Sequence, residues 1–203
     1  LLNYIYPLMN QGTLVCDINL DETNNKLIQQ ISLLTNKPTM YVLNVDEHVF
    51  SDTNHNSLIN ELFYYAKQKG NHIILICGKI ESELATMDPN DAELFLSEYN
   101  ISESGLTKLI NSTYELLNLE TFFTAGEKEV KAWTISKETL APKAAREIHS
   151  DIERGFIKAE VYTCADLFEL KSELSLKDAG KIRQEGKQYL VKDGDIINFK
   201  FNV

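Results

Sequence analysis

A chain of 203 residues, 43% hydrophobic and 25% charged, is long enough for one large domain or two small ones, and its composition excludes global disorder. The net charge of −10 is uneven: 6 Lys/Arg stand against 15 Asp/Glu before Asn118, and 14 against 15 from there on, so the front half repels a polyanion and the back half is the better place for one. No apolar run reaches the roughly 20 residues of a membrane span.

The opening residues carry no basic region or cleavage site of a signal peptide, and the missing initiator Met suggests a piece of a longer chain. Cys16, Cys77 and Cys164 are few and scattered, as expected of core thiols in a reducing, cytoplasmic setting. Residues 1–21 contain helical fragments. Residues 21–24 offer N-cap side chains, and Leu27, Ile28, Ile31 and Leu34 follow at helical spacing, with Pro38 as the expected stop. Met40-Tyr41-Val42-Leu43 reads as a buried parallel strand. A helix is expected over 57–68, with Leu58, Leu62, Phe63 and Ala66 inward and Gly70 closing it. Residues 72–76 make a second buried strand, Asp88-Pro89 starts a helix, and residues 106–117 mark an amphipathic one. This order of strands and helices predicts a parallel α/β sheet.

Beyond Leu119 the pattern changes. Strands are expected over 130–135 and 156–161, and short helices over 142–148 and 176–181. Residues 189–191, the Asp193-Gly194 turn and the alternating Ile197, Phe199, Phe201 and Val203 predict a closing hairpin. The back half is therefore a small α+β module, with the boundary near Asn118.

Two segments have the spacing of a nucleotide site. Asn44-Val45-Asp46-Glu47 follows a strand directly, where open α/β sheets bind ligands. An Asn with a carboxylate three residues on is the outline of the base-reading motif of G-protein-like NTPases. Asn matches the N6 donor and N7 acceptor of adenine. Glu47 in place of the usual Asp removes the contact tuned to guanine's 2-amino group. The bland alternative is a polar strand-to-loop transition. Cys77-Gly78-Lys79 follows the next strand: Gly78 permits close backbone approach, and Lys79 can lay its stem along a base. Asn36-Lys37-Pro38-Thr39 resembles a guanine-reading sequence but precedes its strand. His48, His55, His72 and His149 show no metal-ligand spacing with the cysteines, and His149 reads as a helix cap. Neither G-x-S-x-G nor the phosphate loop G-x-x-x-x-G-K-[ST] is present, so this chain alone is expected to hydrolyse nothing.

Residues 37–47 (KPTMYVLNVDE) are similar to the strand and N-x-x-E motif of the Obg-like, YchF-type P-loop ATPases. Residues 117–126 (LNLETFFTAG), 131–135, 148–161 and 193–203 resemble that family's junction and C-terminal TGS domain. The resemblance covers nearly the whole chain. It implies a partial P-loop NTPase domain of α/β class with a helical-hairpin remnant, followed by an α+β β-grasp (TGS) domain. Residues 1–21 would be the remnant of the helical insertion, 22–117 the C-terminal half of the nucleotide-binding domain, and 118–203 the TGS domain. Phosphate, switch and magnesium ligands would lie upstream, so ATP (or GTP) and Mg2+ belong to the complete parent. Asn44, Val45 (through its backbone) and Glu47 would contact the base, with Cys77 and Gly78 opposite. The family pattern usually has a small Ala or Ser near Cys77. The family prefers ATP to GTP and associates with ribosomes, which implies a ribosomal or RNA partner and neither membrane binding nor DNA sequence specificity. Lys128, Lys131, Lys143, Arg146, Lys158, Lys181, Arg183 and Lys200 are the candidates for a basic RNA-facing surface, set against nearly equal acids. The alternative from the residues alone is a non-enzymatic regulatory or interaction module.

Overall fold

A computed structural model describes residues 1–51, 57–99, 101–126 and 129–202 of the chain. The chain divides into two compact units, Leu1–Ser112 and Thr113–Val203.

The first unit opens with α1 (Leu2–Asn10) and α2 (Glu22–Ile31). Asp21 caps α2, its carboxylate accepting the Asn24 N–H at 2.8 Å. The helix ends at Ile31, short of the expected Leu34, because Ser32 turns into the left-handed region at φ 54°. A 3-10 turn over Leu34–Asn36 follows, so Pro38 lies beyond the helix and does not terminate it. Ile5, Val15, Ile18 and Ile28 form one buried cluster, packed by Leu1, Leu8, Leu20 and Leu33. The opening residues thus share a core with α2.

Next come β1 (Met40–Asn44), α3 (Glu47–Ser51), α4 (Ser57–Lys69) and β2 (His72–Ile76), then α5 (Gly78–Leu84), α6 (Pro89–Glu98) and α7 (Gly105–Leu116). β1 and β2 pair in parallel, from Met40↔His72 to Asn44↔Ile76. Gly70 closes α4 in the left-handed region, at φ 66°. The helix is rotated from the expected face: Ile59 and Ala66 are buried, whereas Leu58 (61% exposed) and Phe63 are on the outside. Ile59, Leu62 and Ala66 lie at i, i+3 and i+7, which sets that phase. Neither β1 nor β2 contains a fully buried residue, although their apolar runs predicted buried strands. Asp88 caps α6 through the N–H groups of Asn90 and Asp91, with Pro89 in the first turn.

In the second unit, β3 (Leu119–Ala125) and β4 (Val130–Ser136) form a hairpin, followed by α8 (Ala141–Ile148), α9 (Ser150–Arg154) and β5 (Phe156–Thr163). Then come α10 (Cys164–Leu170), α11 (Glu173–Asp178), β6 (Arg183–Glu185) and β7 (Asp195–Phe201). The sheet order is β4-β3-β7-β5-β6, with β3 and β7 parallel and every other pair antiparallel. Phe122, Ile135, Phe156, Ala159, Val161, Ile197 and Phe199 on the sheet bury Ala141, Ala144 and Ala145 of α8. A second cluster of Tyr162, Leu176 and Ile196 is packed by Leu167, Leu170 and Ile182.

The expected closing hairpin does not form. β7 pairs with β5, from Phe156↔Phe201 to Thr163↔Asp195, while Leu190 bridges Leu140. Asp195 is 2% exposed, and its carboxylate accepts the Tyr189 hydroxyl at 2.7 Å and the Lys192 N–H at 2.9 Å. These bonds brace the turn at residues 193–194, with Gly194 at φ 78°, while the main chain of residues 189–191 bonds to that of 139–141 and not to β7. The helix expected over 176–181 begins earlier because Ser172 caps it, accepting the Ser175 N–H at 3.1 Å. Val203, the last alternating residue, lies outside the described residues.

Candidate nucleotide-base site

The register of the parallel pair decides what meets at its edge. Asn44 and Ile76 are Cα partners and the last residues of β1 and β2, so the loops that follow them start side by side. Asn44 joins the two loops: its Oδ1 accepts the Gly78 N–H at 3.0 Å. The Val45 N–H donates to the Ile76 carbonyl at 2.8 Å, which leaves the Val45 carbonyl as the main-chain group for any ligand contact. Cys77 is 3% exposed and stands at the N-terminus of α5, so its thiol is packed inward and only its backbone borders the loop. A Cβ on Gly78 would sit at an ordinary 3.5 Å from Asn44 Oδ1, so the facing Asn44 side chain would tolerate a small side chain there.

Glu47 begins α3, and both of its carboxylate oxygens are engaged. Oε1 pairs with the ammonium of Lys79 from α5, and Oε2 accepts the hydroxyl of Tyr99, which closes α6, at 3.3 Å. The Lys79 contact holds the Glu47 carboxyl below its usual value, and Glu47 in turn raises Lys79. Burial, then Glu47, raises the Tyr99 phenol, so it stays a donor. The Tyr99 ring leans on Phe95, with centroids 5.2 Å apart. Tyr99 was not legible as a site residue, because it lies 52 positions from Glu47 and no local motif surrounds it. Asn44, Glu47, Gly78 and Lys79 thus come together at one strand edge, and no group of three His, Cys, Asp or Glu among the described residues could hold a metal ion.

The cations of the second unit lie on more than one face. On α8, Lys143 pairs with Glu153 at 2.6 Å and Arg146 approaches it at 3.7 Å. Both line a groove with Thr134, Ser136 and Thr139. Lys131 sits 4.0 Å over the Trp133 ring, and the Trp133 indole donates to Thr124. Lys158 and Lys200 are Cα partners on β5 and β7, where they alternate with the core residues Ala159 and Phe199 and so face away from α8. Both pair with Glu160, at 3.7 and 3.3 Å. Lys181 pairs with Asp166 at 2.9 Å. Arg183 lies 3.4 Å from Glu185 and 3.5 Å from Asp195, over the Tyr189 ring. Lys128 lies outside the described residues. His149 accepts the Asp151 N–H through Nδ1, capping α9 as it ends α8.

Comparison with known proteins points in one direction. The family model YchF-GTPase_C, described as "Protein of unknown function (DUF933)", matches residues 119–202. The "Ribosome-binding ATPase YchF" of Bacillus subtilis is 46% identical over 186 residues, 92% of this chain and 51% of that protein. The protein of the same name from Pasteurella multocida is 42% identical over 100% of this chain and 55% of its own length. The solved "Structure of the Schizosaccharomyces pombe YchF GTPase" superposes with a TM-score of 0.81 at 32% identity, covering 98% of this chain and 53% of that one. A "GTP binding protein from Pyrococcus horikoshii OT3" shares the fold at a TM-score of 0.58 and 15% identity, over 91% of this chain and 58% of its own. The chain spans about half the length of the curated relatives it matches. With relatives of one name aligned along nearly its whole length, and the family's C-terminal model on its second unit, this chain belongs to the YchF family.

Proposed function

We propose that this chain is the C-terminal portion of a cytoplasmic, ribosome-associated ATPase, and that its first unit holds the end of the site that reads the nucleotide base. The observation that carries the reading is the 3.0 Å hydrogen bond from the Gly78 N–H to Asn44 Oδ1, which locks two loops together at the carboxyl ends of paired parallel strands. Asn44 is then fixed with its amide nitrogen available for purine N7 and its oxygen for the adenine N6 amine. Val45 contributes its carbonyl, and the bare Gly78 permits close approach of a ring to the backbone of its loop.

ATP is bound in preference to GTP in this reading, and the phosphates and Mg2+ are held by parts of the complete protein outside this chain. Without them the γ-phosphate has no cradle, so this chain alone hydrolyses nothing. The second unit is the TGS module of β-grasp type, a reading supported by the β4-β3-β7-β5-β6 order with its parallel β3–β7 pair. It serves ribosome or RNA contact, supported by the printed name of the relatives, "Ribosome-binding ATPase".

Calorimetry on the complete protein tests the base site. ATP with magnesium should bind more tightly than GTP, Asn44→Ala should weaken ATP by about tenfold or more, and this chain alone should bind little. Preference for GTP would overturn the adenine reading. Binding of neither nucleotide would move a non-enzymatic interaction module ahead.

A further inference from the structure

Resting on the base-site reading above, we propose that Tyr99 and Lys79 set the nucleobase preference by engaging both oxygens of Glu47, so that the charge and orientation of the carboxylate are committed to them and not to the guanine edge. Guanine presents two neighbouring donors, its N1–H and its 2-amino group, and a carboxylate rewards them best when both oxygens are aimed at them together. Glu47 is not in that state: the Lys79 ammonium holds Oε1, and the Tyr99 hydroxyl bonds Oε2 at 3.3 Å. Adenine has no hydrogen on N1 and no 2-amino group, so it asks nothing of this carboxylate and leaves the clamp closed.

The partners come from elements other than that of Glu47. Lys79 stands in the first turn of α5, directly beyond Gly78, and Tyr99 closes α6. Tyr99 is half-buried, with its ring packed on Phe95 and its N–H bonded to the Leu96 carbonyl at 3.2 Å. For guanine to take both oxygens of Glu47, the carboxylate must turn from the ammonium and the phenol and give up part of those contacts. The preference therefore lies in the engagement of Glu47 as well as in its extra methylene. Tyr99 is a positioning residue: it reaches the base only through Glu47.

The test is competitive binding of ATP and GTP, each with magnesium, to the complete protein and its Tyr99→Phe variant. Phe keeps the ring on Phe95 and removes only the hydroxyl, so ATP affinity should hold while GTP gains, narrowing the ATP-to-GTP ratio by about threefold to tenfold. Lys79→Met, which keeps the aliphatic stem, should narrow the ratio in the same direction, and the double variant more than either. An unchanged ratio in a folded Tyr99→Phe protein would overturn the clamp. If that variant fails to fold, an unchanged ratio in Lys79→Met would do the same. A merely structural role would weaken both nucleotides equally, which also overturns it. A wild-type protein that prefers GTP or binds neither sinks the base-site reading itself, a result separate from either variant's.

Discussion

The carboxylate of Glu81 accepts the backbone N–H of Gly105 at 2.7 Å, and its other oxygen accepts that of Leu106 at 3.2 Å. One side chain on α5 thereby satisfies two of the orphan amides at the start of α7 and lays a negative charge on the positive end of that helix. α5 begins at Gly78, so the loop bonded to Asn44 and the start of α7 are two residues of backbone and one side chain apart.

Gly105 is what lets the helix come this close. A Cβ there would lie 2.9 Å from Glu81 Oε1 and 2.9 Å from Ile76 Cγ2, and Ile76 is fixed at the end of β2. Gly105→Ala should therefore destabilise the first unit by about 1–3 kcal/mol, against the usual gain from replacing a helical glycine. Glu81→Ala should cost about 1 kcal/mol through the lost cap, and Glu81→Gln less, since an amide oxygen still accepts one bond. Urea unfolding followed by helical circular dichroism reads all three. A Gly105→Ala protein as stable as wild type would mean that α7 starts elsewhere.

Legibility in the sequence followed where the folding rule was local. The Asp21 and Asp88 caps, the β1 and β2 runs and the two loops after them could be read from neighbours along the chain. What failed depended on partners far away. β6 is Arg-Gln-Glu with no apolar residue to mark it, and exists because β5 offers an edge. β3 was hidden because Glu120 interrupts its apolar alternation. The Asp193-Gly194 turn forms as its chemistry predicts, but residues 189–191 bond to residues 139–141 and not to β7. In the site, Asn44 and Gly78 stood out by their spacing, whereas Tyr99 reaches Glu47 only in three dimensions.

Glu120 is the buried acid without a match. It is 8% exposed on the same side of β3 as Phe122, and its Oε1 has no hydrogen-bond partner. Burial first, then Asp193, raises its carboxyl above the ordinary value; Asp195 and Glu138 add to this, while Lys137 opposes it. An acid whose folded value is raised binds its proton more tightly when folded, so its cost is absent in acid and grows as pH climbs through and above 4.5. Glu120→Gln should thus raise stability at pH 7 by about 1 kcal/mol, and the gain should vanish toward pH 4. Melting temperatures of the two proteins across that range decide it; a constant difference would show that the charge of Glu120 is not what matters.

The turn before β7 makes the opposite kind of forecast. Burial, and then the bond to Asp195, push the Tyr189 hydroxyl up to about 12 from its ordinary 10.0. The unfolded chain loses this proton first, so stability should fall as pH rises from about 10 to about 12. Tyr189→Phe should reduce that alkaline slope, leaving the part that Tyr162 contributes through its own burial and its bond to Glu173, while costing about 1 kcal/mol near neutrality for the lost bond. Asp195→Asn leaves Tyr189 and the Lys192 N–H with a weaker acceptor, and should cost about 2 kcal/mol. If Tyr189→Phe kept the same alkaline slope, the slope would belong to another group.

The division of the basic residues between two faces makes ribosome contact testable by side. On the α8 side, Lys143 and Arg146 share a concave groove with the hydroxyl-bearing Thr134, Ser136 and Thr139 and with one acid, Glu147, so cations and hydroxyls suited to phosphate oxygens outnumber the acid there. On the other side, Lys158 and Lys200 share Glu160 as Lys143 and Arg146 share Glu153, so the hydroxyl-lined groove is what sets the α8 side apart. Neutralising Lys143 and Arg146 to Gln avoids placing new acids beside Glu153. In the complete protein this pair of changes should weaken ribosome association and reduce its salt slope by about one unit per lost phosphate contact. The matching change at Lys158 and Lys200 should leave both unaltered. Sedimentation with ribosomes over a salt series distinguishes the faces: equal losses would make the attraction a matter of net charge, and a loss only with Lys158 and Lys200 would move the contact to the side away from α8.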